Sequence, residues 1–327
     1  MPAELAFQDI KVPSPGFGAM SLSGSYGPAN DEESLKVLEK ALELGCTFWD
    51  TALVYGFGHN EALLGRFFKE HPGAREKVFV ASKCGWDIDY EKKTNAGVTN
   101  SPEHILKAID ETIERLGSAP DLYYLHRIDP NTPIEESIKT LASLKAAGKT
   151  KYIGISECGA ATLRKADAIA HIDALQIEYS PWFIDHERDE LIDVARELGI
   201  TIVAYSPLGK GMLTGKFRDP KAFAGDIRSQ APRFSENFKD NLKIVDKFEE
   251  LAKKKGCTPG QVSIAWVAAQ GAIPIPGTKS VGRLEENWGA SKITFDEEEL
   301  KEIRRAIEEA EPKGDRYGKV HMAMVGH

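Results

Sequence analysis

The stretch Gly45 to Gly56, GCTFWDTALVYG, contains a short apolar run that ends in Asp50, with Tyr55 five residues further on. Two later runs have the same form, since KVFVASK ends in Lys83 and DLYYLH ends in His126. Parallel strands in a closed barrel bring the residues that follow them to one rim, which is where such barrels carry their active sites. The three runs therefore predict that Asp50, Tyr55, Lys83 and His126 share one site.

Strand-like runs alternate with amphipathic helical segments along most of the chain. The candidate strands read FGAM, TFWD, KVFVAS, LYYLH, YIGIS, ALQIEY, TIVAYS and AIPIP. Apolar residues in the segments between them recur at spacings of three and four, for example in Glu32 to Leu44, Pro102 to Leu116 and Ile134 to Ala147. Eight alternations of this kind predict an α/β fold, a (β/α)8 TIM barrel formed as a single domain by residues 1–327.

Segments outside the alternation are expected at the two ends of the barrel. FQDIKV, near the N-terminus, is predicted to form a strand that closes the bottom. Trp86 to Thr99 and Leu208 to Asn237 are predicted to be long loops on the catalytic rim, where loops of that length are usually functional. The tail, residues 312–327, either folds over the active-site rim or frays, and the sequence leaves both open.

Composition limits the class of protein. The 327 residues include 42 Lys and Arg against 50 Asp and Glu, a formal charge of −8, which argues against nucleic acid or an anionic membrane as the main partner. The four cysteines are far apart and show no metal-ligand spacing, so we expect free thiols and no metal site. Without a signal pattern or a long apolar run, a cytoplasmic location is expected, and the oligomeric state is left open.

The four residues at the strand exits supply the parts for reducing a carbonyl group, which needs a hydride donor and an acid. A tyrosine with a pKa of about 10 is a weak acid at neutral pH, but a unit charge 4 Å away is worth about 4 kcal/mol at an effective dielectric of about 20, roughly three pKa units. Lys83 is therefore expected to lower the pKa of Tyr55, and Asp50 to keep Lys83 charged. His126 would orient the substrate oxygen or share in proton delivery. Each residue alone has a structural explanation, and their common position favours catalysis.

The longer stretch GCTFWDTALVYGFGHNEALLG, Gly45 to Gly65, resembles the signature of the aldo-keto reductases. VFVASK, DLYYLHR, KYIGIS, LQIEYSP, VAYSPLGKGMLTGK and IPIPGTKSVGRLEENWGA agree with the family along nearly the whole chain. The chain is most similar to the microbial and fungal branch with the yakC-like and pyridoxal reductases. The resemblance implies an NAD(P)H-dependent reductase of aldehydes or ketones, in which Tyr55 donates the proton, Lys83 and Asp50 tune it, and His126 positions the carbonyl.

The resemblance also implies that an extended nicotinamide dinucleotide lies across the barrel top without a Rossmann domain. Its nicotinamide end would contact Ser156 and Gln176, and its ring would stack on Tyr205. The remaining cofactor contacts implied are Ser206, Pro207, Leu208, Gly209 and Lys216 for the pyrophosphate, and Gly277, Thr278, Lys279, Arg283, Glu286 and Asn287 for the adenosine end. Glu157 departs from the family, because many relatives have an asparagine there that binds the carboxamide.

Charge and aromatic residues give two further expectations. Lys279 and Arg283 lie four residues apart near the start of the last barrel helix, where two cations could bind a 2′-phosphate, so NADPH is favoured over NADH. A solvated basic helix face would explain the same pair. The rim aromatics Tyr26, Phe57, Trp86 and Trp182 are predicted to contact substrate, although core packing accounts for each of them as well.

Other classes of function fit less well. The segment from Gly16 to Ser21 lacks the third glycine of a dinucleotide-binding fingerprint, and no tyrosine has a lysine four residues later, as short-chain dehydrogenases require. A Schiff-base aldolase could use Lys83, but a carboxylate beside it would keep it protonated. A non-catalytic NADP(H)-binding sensor or regulatory subunit can carry the same four residues, so it stays open as an alternative. The physiological carbonyl compound is not predicted, because loop conformation determines specificity.

Overall fold

The computed structural model describes residues 4–225, 227–322 and 325–326. Within these residues the strands are, in chain order, β1 (Glu4–Phe7), β2 (Ile10–Pro13), β3 (Phe17–Gly18), β4 (Phe48–Asp50), β5 (Phe79–Cys84), β6 (Trp86–Asp89), β7 (Thr94–Val98), β8 (Leu122–Leu125), β9 (Tyr152–Ser156), β10 (Ala174–Glu178), β11 (Thr201–Tyr205) and β12 (Ile273–Pro274). The α-helices are α1 (Asp31–Leu44), α2 (His59–Glu70), α3 (Pro102–Leu116), α4 (Ile134–Ala146), α5 (Ala160–Asp167), α6 (Leu191–Glu197), α7 (Phe238–Lys255), α8 (Pro259–Ala269), α9 (Val281–Gly289), α10 (Glu297–Ala310) and α11 (Lys319–Met322).

Eight strands form one parallel sheet in the order β3, β4, β5, β8, β9, β10, β11 and β12. A parallel bridge between Gly18, in β3, and Gly277, just past β12, joins the two edges. The backbone N–H of Gly18 also donates to the carbonyl of Pro276 across the same seam. The sheet is therefore closed, and the predicted (β/α)8 barrel is confirmed.

Glycine is needed at this seam because the two strands approach closely. A Cβ at Gly18 would lie 2.8 Å from the carbonyl oxygen of Ile275, and one at Gly277 would lie 2.9 Å from that of Gly18. Carbon and oxygen atoms that are not bonded do not approach so closely, so any larger residue would push the edges apart. The two glycines therefore permit closure.

The bottom of the barrel is closed by a hairpin, whereas the sequence predicted a single strand. β1 and β2 pair antiparallel through a turn at Gln8 and Asp9. Phe7 is fully buried under the barrel, with its ring centroid 5.0 Å from that of Phe79 and 5.1 Å from that of Tyr152. Because β5 and β9 begin at or near these two residues, the hairpin covers the N-terminal ends of the strands and leaves the opposite rim open.

Helix α3 begins and ends at local sequence signals. The Ser101 side chain accepts from the backbone N–H of His104, and Pro102 occupies the first turn, where it needs no hydrogen-bond donor. Gly117 ends the helix in the left-handed conformation, with φ at 72°. Among the described residues, no helix is both long and apolar enough to cross a membrane.

The two segments predicted as rim loops contain short elements. Trp86 to Thr99 includes the antiparallel hairpin of β6 and β7. Leu208 to Asn237 contains a series of short 3₁₀ turns that precede α7. Both lie at the C-terminal ends of barrel strands and so border the same rim.

Candidate active site

Lys83 lies inside the barrel because side chains alternate along β5. Ser82 faces outward, where its hydroxyl donates to Glu61 of α2. Lys83 faces inward and is fully buried. Its Nζ lies 2.5 Å from Oδ1 of Asp50, 2.8 Å from the carbonyl oxygen of Thr51 and 3.3 Å from the hydroxyl of Tyr55. All three donors of the ammonium are therefore used, and one of them points at the phenol.

The loop after β4 fixes the position of Tyr55. The backbone N–H of Leu53 donates to the carbonyl of Lys83, and that of Asn60 donates to the carbonyl of Tyr55. The buried side chain of Asn60 accepts from the hydroxyl of Thr51 at 2.6 Å and donates to the carbonyl of Ala19 at 2.9 Å. Tyr55 thus stands on a turn that is hydrogen-bonded to the barrel on both sides.

His126 completes the group of four residues. Its ring meets that of Tyr55 edge to face, with centroids 5.8 Å apart and planes at 85°. The ring atom Nδ1 is buried and has no hydrogen-bond partner among the described residues. Burial, together with the charges of Lys83 and Arg127, lowers the pKa of His126 well below its ordinary value. The imidazole is therefore neutral at physiological pH and can donate a single N–H to a substrate oxygen.

The pKa of Tyr55 differs in direction from the expectation based on the ammonium alone. Burial raises the pKa of this phenol, and the Lys83 charge opposes the rise without reversing it. Burial likewise raises the pKa of Asp50, against the opposing charge of Lys83. For Lys83, burial acts to lower the pKa, but Asp50 and Tyr55 outweigh it and the net shift is upward. Lys83 is therefore charged and Tyr55 carries its proton at neutral pH.

A cavity of about 670 Å³ opens over this group and extends along the rim. Asp50, Tyr55 and His126 line one part of it, and Lys83 lies directly behind Tyr55. The predicted cofactor contacts that line the cavity are Ser156, Gln176, Tyr205, Ser206, Pro207, Leu208, Lys216, Gly277, Thr278, Lys279, Arg283, Glu286 and Asn287. The structure therefore brings nearly the whole predicted set into one continuous groove.

Several predicted contacts do not form part of the cavity wall. Gly209 is buried, where a Cβ would lie 2.7 Å from the ring of Trp182. Trp182 is 2% exposed and stacks on Phe234, so it serves core packing instead of the predicted substrate cleft. Phe57 and Trp86 are also outside the wall, although the Trp86 ring lies 6.2 Å from that of His126. Of the four predicted aromatics, Tyr26 lines the cavity.

Residues of the C-terminal tail reach this rim. Arg316 and Tyr317 line the cavity, and the two hydroxyls of Tyr317 and Tyr205 are 2.9 Å apart. Arg316 donates to both oxygens of Glu157, and its Nη1 lies 3.3 Å from Glu178. The carboxylate of Glu157 therefore faces the tail. Residues 323, 324 and 327, which the predicted tail includes, lie outside the described residues.

Sequence reasoning missed Arg127, Arg316 and Tyr317 as cavity residues. Arg127 had a usable signal, because it directly follows His126 at a strand exit. The two tail residues had none, since their position depends on contacts with residues far away in the chain. Among the described residues, no group of three His, Cys, Asp or Glu side chains is placed to hold a metal ion.

Comparison with known families identifies the class of protein to which this barrel, with its buried Lys–Asp pair behind a rim tyrosine, belongs. The family model described as the aldo/keto reductase family matches residues 16–308. Because that match covers most of the chain, the chain belongs to the aldo/keto reductase family.

Individual relatives extend over nearly the whole chain. An aldo-keto reductase of Gibberella moniliformis is 53% identical over 333 residues, covering 100% of both chains. The protein called aldo-keto reductase yakc [NADP(+)] of Schizosaccharomyces pombe is 47% identical and covers 94% of this chain and 92% of its own. The solved structure of a glycerol dehydrogenase from Gluconobacter oxydans superposes with a TM-score of 0.86 at 28% identity, covering 95% of this chain and 96% of its own. The chain is therefore an oxidoreductase similar to fungal members of the family.

Proposed function

We propose that this protein reduces aldehydes or ketones to alcohols with NADPH, and that Tyr55 delivers the proton. The observation that carries the proposal is the ammonium of Lys83, which lies 3.3 Å from the Tyr55 hydroxyl and 2.5 Å from Asp50 at the base of the cavity. A buried lysine held by a carboxylate and aimed at a phenol is the arrangement that stabilises a phenolate.

The residues of this chain have distinct parts in the reaction. NADPH, when bound, supplies the hydride that goes to the carbonyl carbon. The Tyr55 hydroxyl gives its proton to the oxygen, and the charge of Lys83 stabilises the phenolate that remains. Asp50 keeps Lys83 charged, and Gln176 donates to Oδ2 of Asp50 at 2.7 Å, which fixes the carboxylate. The neutral His126 donates a hydrogen bond to the substrate oxygen and orients the carbonyl.

The donor set of the cavity fits a dinucleotide. The hydroxyl of Ser156 and the amide of Gln176 lie on the wall beside the catalytic group, and the ring of Tyr205 offers a face for stacking. Lys216, Lys279 and Arg283 line the same cavity and supply cations for phosphate groups. In this proposal the other predicted cofactor contacts that line the cavity lie between the nicotinamide end and the adenosine end of the dinucleotide.

A preference for NADPH is supported by the start of α9. Arg283 is in the first turn of that helix, and Lys279 precedes the cap residue Ser280, whose side chain caps no backbone N–H. Uncapped N–H groups and two cations suit a 2′-phosphate. Lys279 also donates to the carbonyls of Tyr26 and Pro28, at 3.1 and 2.7 Å, so it ties the first rim loop to this end.

The proposal is tested with Tyr55→Phe, using 4-nitrobenzaldehyde as substrate and the absorbance of NADPH as the readout. We expect kcat to fall by about three orders of magnitude while the Kd for NADPH stays within about twofold, because the phenol acts in the transition state alone. Tyr90→Phe, at a surface tyrosine that is 36% exposed, serves as the matched control and should keep full activity. Activity within about tenfold of the unmodified protein would show that another group is the acid.

The two alternatives are tested by the turnover assay and by a separate trapping assay. Tight NADPH binding with no turnover of any carbonyl compound by the unmodified protein would favour a sensor or regulatory subunit. A Schiff-base aldolase would be trapped by borohydride as a covalent adduct on Lys83. The upward shift in the pKa of Lys83, which its carboxylate and phenol neighbours cause against the effect of burial, makes this amine a poor nucleophile.

A further inference from the structure

Arg127 follows His126 directly and lines the cavity beside it. The guanidinium uses Nη1 for two contacts, at 2.7 Å to the carbonyl oxygen of His126 and at 3.4 Å to the hydroxyl of Ser156. Within residues 4–225, 227–322 and 325–326, neither Nε nor Nη2 has a hydrogen-bond partner. These two atoms form one edge of the planar group, the edge that binds a carboxylate with two parallel hydrogen bonds.

The acidic residues around Arg127 form their close ion pairs with other cations, although the charges of Glu157 and Arg127 also act on each other at longer range. Glu157 and Glu178 both accept from Arg316, and Nζ of Lys210 lies 3.4 Å from Glu178. Asp50 is paired with Lys83. Over the part of the chain that the structure describes, Arg127 has no carboxylate in ion-pair contact.

Arg233 is a further buried cation near this rim, and its hydrogen bonds go to backbone carbonyls. Arg233 donates to the carbonyl oxygens of Gly314 and Trp182 and is not part of the cavity wall. The catalytic end of the cavity therefore carries a positive charge that its own carboxylates do not neutralise. A cation held in a low-dielectric wall with one bidentate edge unused attracts an anion strongly.

We propose that Arg127 binds an acidic group of the substrate, so that the preferred substrates are aldehydes or ketones that carry a carboxylate near the carbonyl. This inference rests on the proposed reductase function and deepens it. His126 and Arg127 are adjacent, so a carbonyl oxygen at His126 leaves the acidic group of the same molecule within reach of the guanidinium. Arg127 is then a specificity-determining residue.

The test compares substrates that differ only in charge. The 3- and 4-carboxybenzaldehydes are assayed against their methyl esters with the unmodified protein, with Arg127→Met, and with Arg127→Lys, which keeps the charge without the planar fork. For whichever carboxybenzaldehyde is the better substrate, we expect kcat/KM to exceed that of its methyl ester by about tenfold or more, as a charged hydrogen bond would give. In Arg127→Met the ratio of kcat/KM for the acid to kcat/KM for its ester should fall to about 1, and Arg127→Lys should keep part of the preference.

Three results would overturn the inference. One is an unmodified protein that treats acids and esters alike. Another is an Arg127→Met variant that loses activity equally on both, since that marks a positioning role alone. The third is a preference for glyceraldehyde 3-phosphate over glyceraldehyde without any preference for the carboxybenzaldehydes over their esters. That result would assign the site to phosphate.

Failure of the reductase function gives a different pattern. If the unmodified protein reduces neither acid nor ester, binding of benzoate and of benzamide is measured by calorimetry in the presence of NADPH. Benzoate binding that requires Arg127 would keep the anion site while the reductase proposal falls. Equal binding of the two probes, or benzoate binding unchanged in Arg127→Met, would remove the anion site as well.

Discussion

Arg316 donates a hydrogen bond of 2.5 Å from Nη2 to Oε2 of Glu157, although 159 residues separate the two in the chain. Both side chains are buried, at 5% and 1% exposure. The pair therefore joins the C-terminal tail to the exit of β9 without much screening by water. Glu157 has a left-handed backbone, with φ at 57°, so the tail is fastened to a strained position of the rim.

Removal of the cation should destabilise the protein. In Arg316→Met, the carboxylates of Glu157 and Glu178 stay buried with less positive charge beside them, and we expect a loss of about 3 to 5 kcal/mol in the free energy of unfolding. The control is Lys313→Met, which removes an exposed ion pair to Asp240 in the same tail and should cost at most about 1 kcal/mol. Urea titration measures both. Equal effects of the two substitutions would show that burial of the Arg316 pair is unimportant.

Stability should depend on pH through Glu157. Burial acts to raise the pKa of this carboxyl, but Arg316 and Arg127 outweigh it and lower the pKa from 4.5 to about 2. A carboxyl with a lowered pKa stabilises the fold above its unfolded pKa and loses that contribution as the pH falls toward its folded pKa.

The measurement compares the unmodified protein with Glu157→Gln by urea unfolding between pH 6 and pH 2.5. The stability advantage of the unmodified protein should be greatest above pH 4.5 and shrink as the pH falls toward about 2. A shift of this size corresponds to about 3 kcal/mol. An advantage that stays constant over the range would mean that the charge of Glu157 contributes nothing.

Closure of the barrel depends on the absence of a side chain at Gly18. In Gly18→Ala the new Cβ meets the carbonyl oxygen of Ile275 at 2.8 Å, and because that partner is backbone, relief requires the strands to move apart. We expect a loss of about 1 to 3 kcal/mol. Gly282→Ala, at an exposed position of α9 where a Cβ meets no atom within 4 Å, should be neutral or stabilising by about 1 kcal/mol. A Gly18→Ala protein as stable as Gly282→Ala would contradict a tight seam.

Cofactor selectivity should depend on Arg283. Arg283→Ala is expected to raise the Kd for NADPH by about tenfold and leave that for NADH within about twofold, because a charged hydrogen bond to the 2′-phosphate is lost. Fluorescence titration gives both constants. Lys292→Ala, just beyond α9 and outside the cavity wall, is the control for a general effect of positive charge. A parallel loss of affinity for both cofactors would place Arg283 elsewhere on the dinucleotide.

Two hairpins show where the sequence prediction of the fold was incomplete. The turn of the first contains Gln8 at φ 48°, and the turn between β6 and β7 contains Lys93 at φ 52°. Left-handed residues in tight turns are usually Gly or Asn, so neither turn had the expected signal. The bottom cover was therefore predicted as one strand, and the second hairpin as a loop.

The candidate site also contains residues that the sequence predicted and residues that it did not. Asp50, Lys83 and His126 were predictable because each ends an apolar run, and parallel strands bring such ends together. Trp182 was assigned to the substrate on residue type, but packing against Phe234 and Gly209 places it in the core. An aromatic residue on a rim loop serves either purpose, and neighbours distant in sequence decide which.

The sequence by itself determined the barrel and the order of the candidate active-site side chains around its rim, because strand periodicity and glycine positions are local properties of the chain. Tertiary structure alone decided which charges are neutralised. Arg316 arrives from the tail to pair with Glu157, Lys210 arrives from the loop after β11 to pair with Glu178, and Arg127 is left facing the cavity. Ion pairs form between charged groups that folding brings within a few ångströms of each other. The separation of two residues in the sequence does not determine that distance.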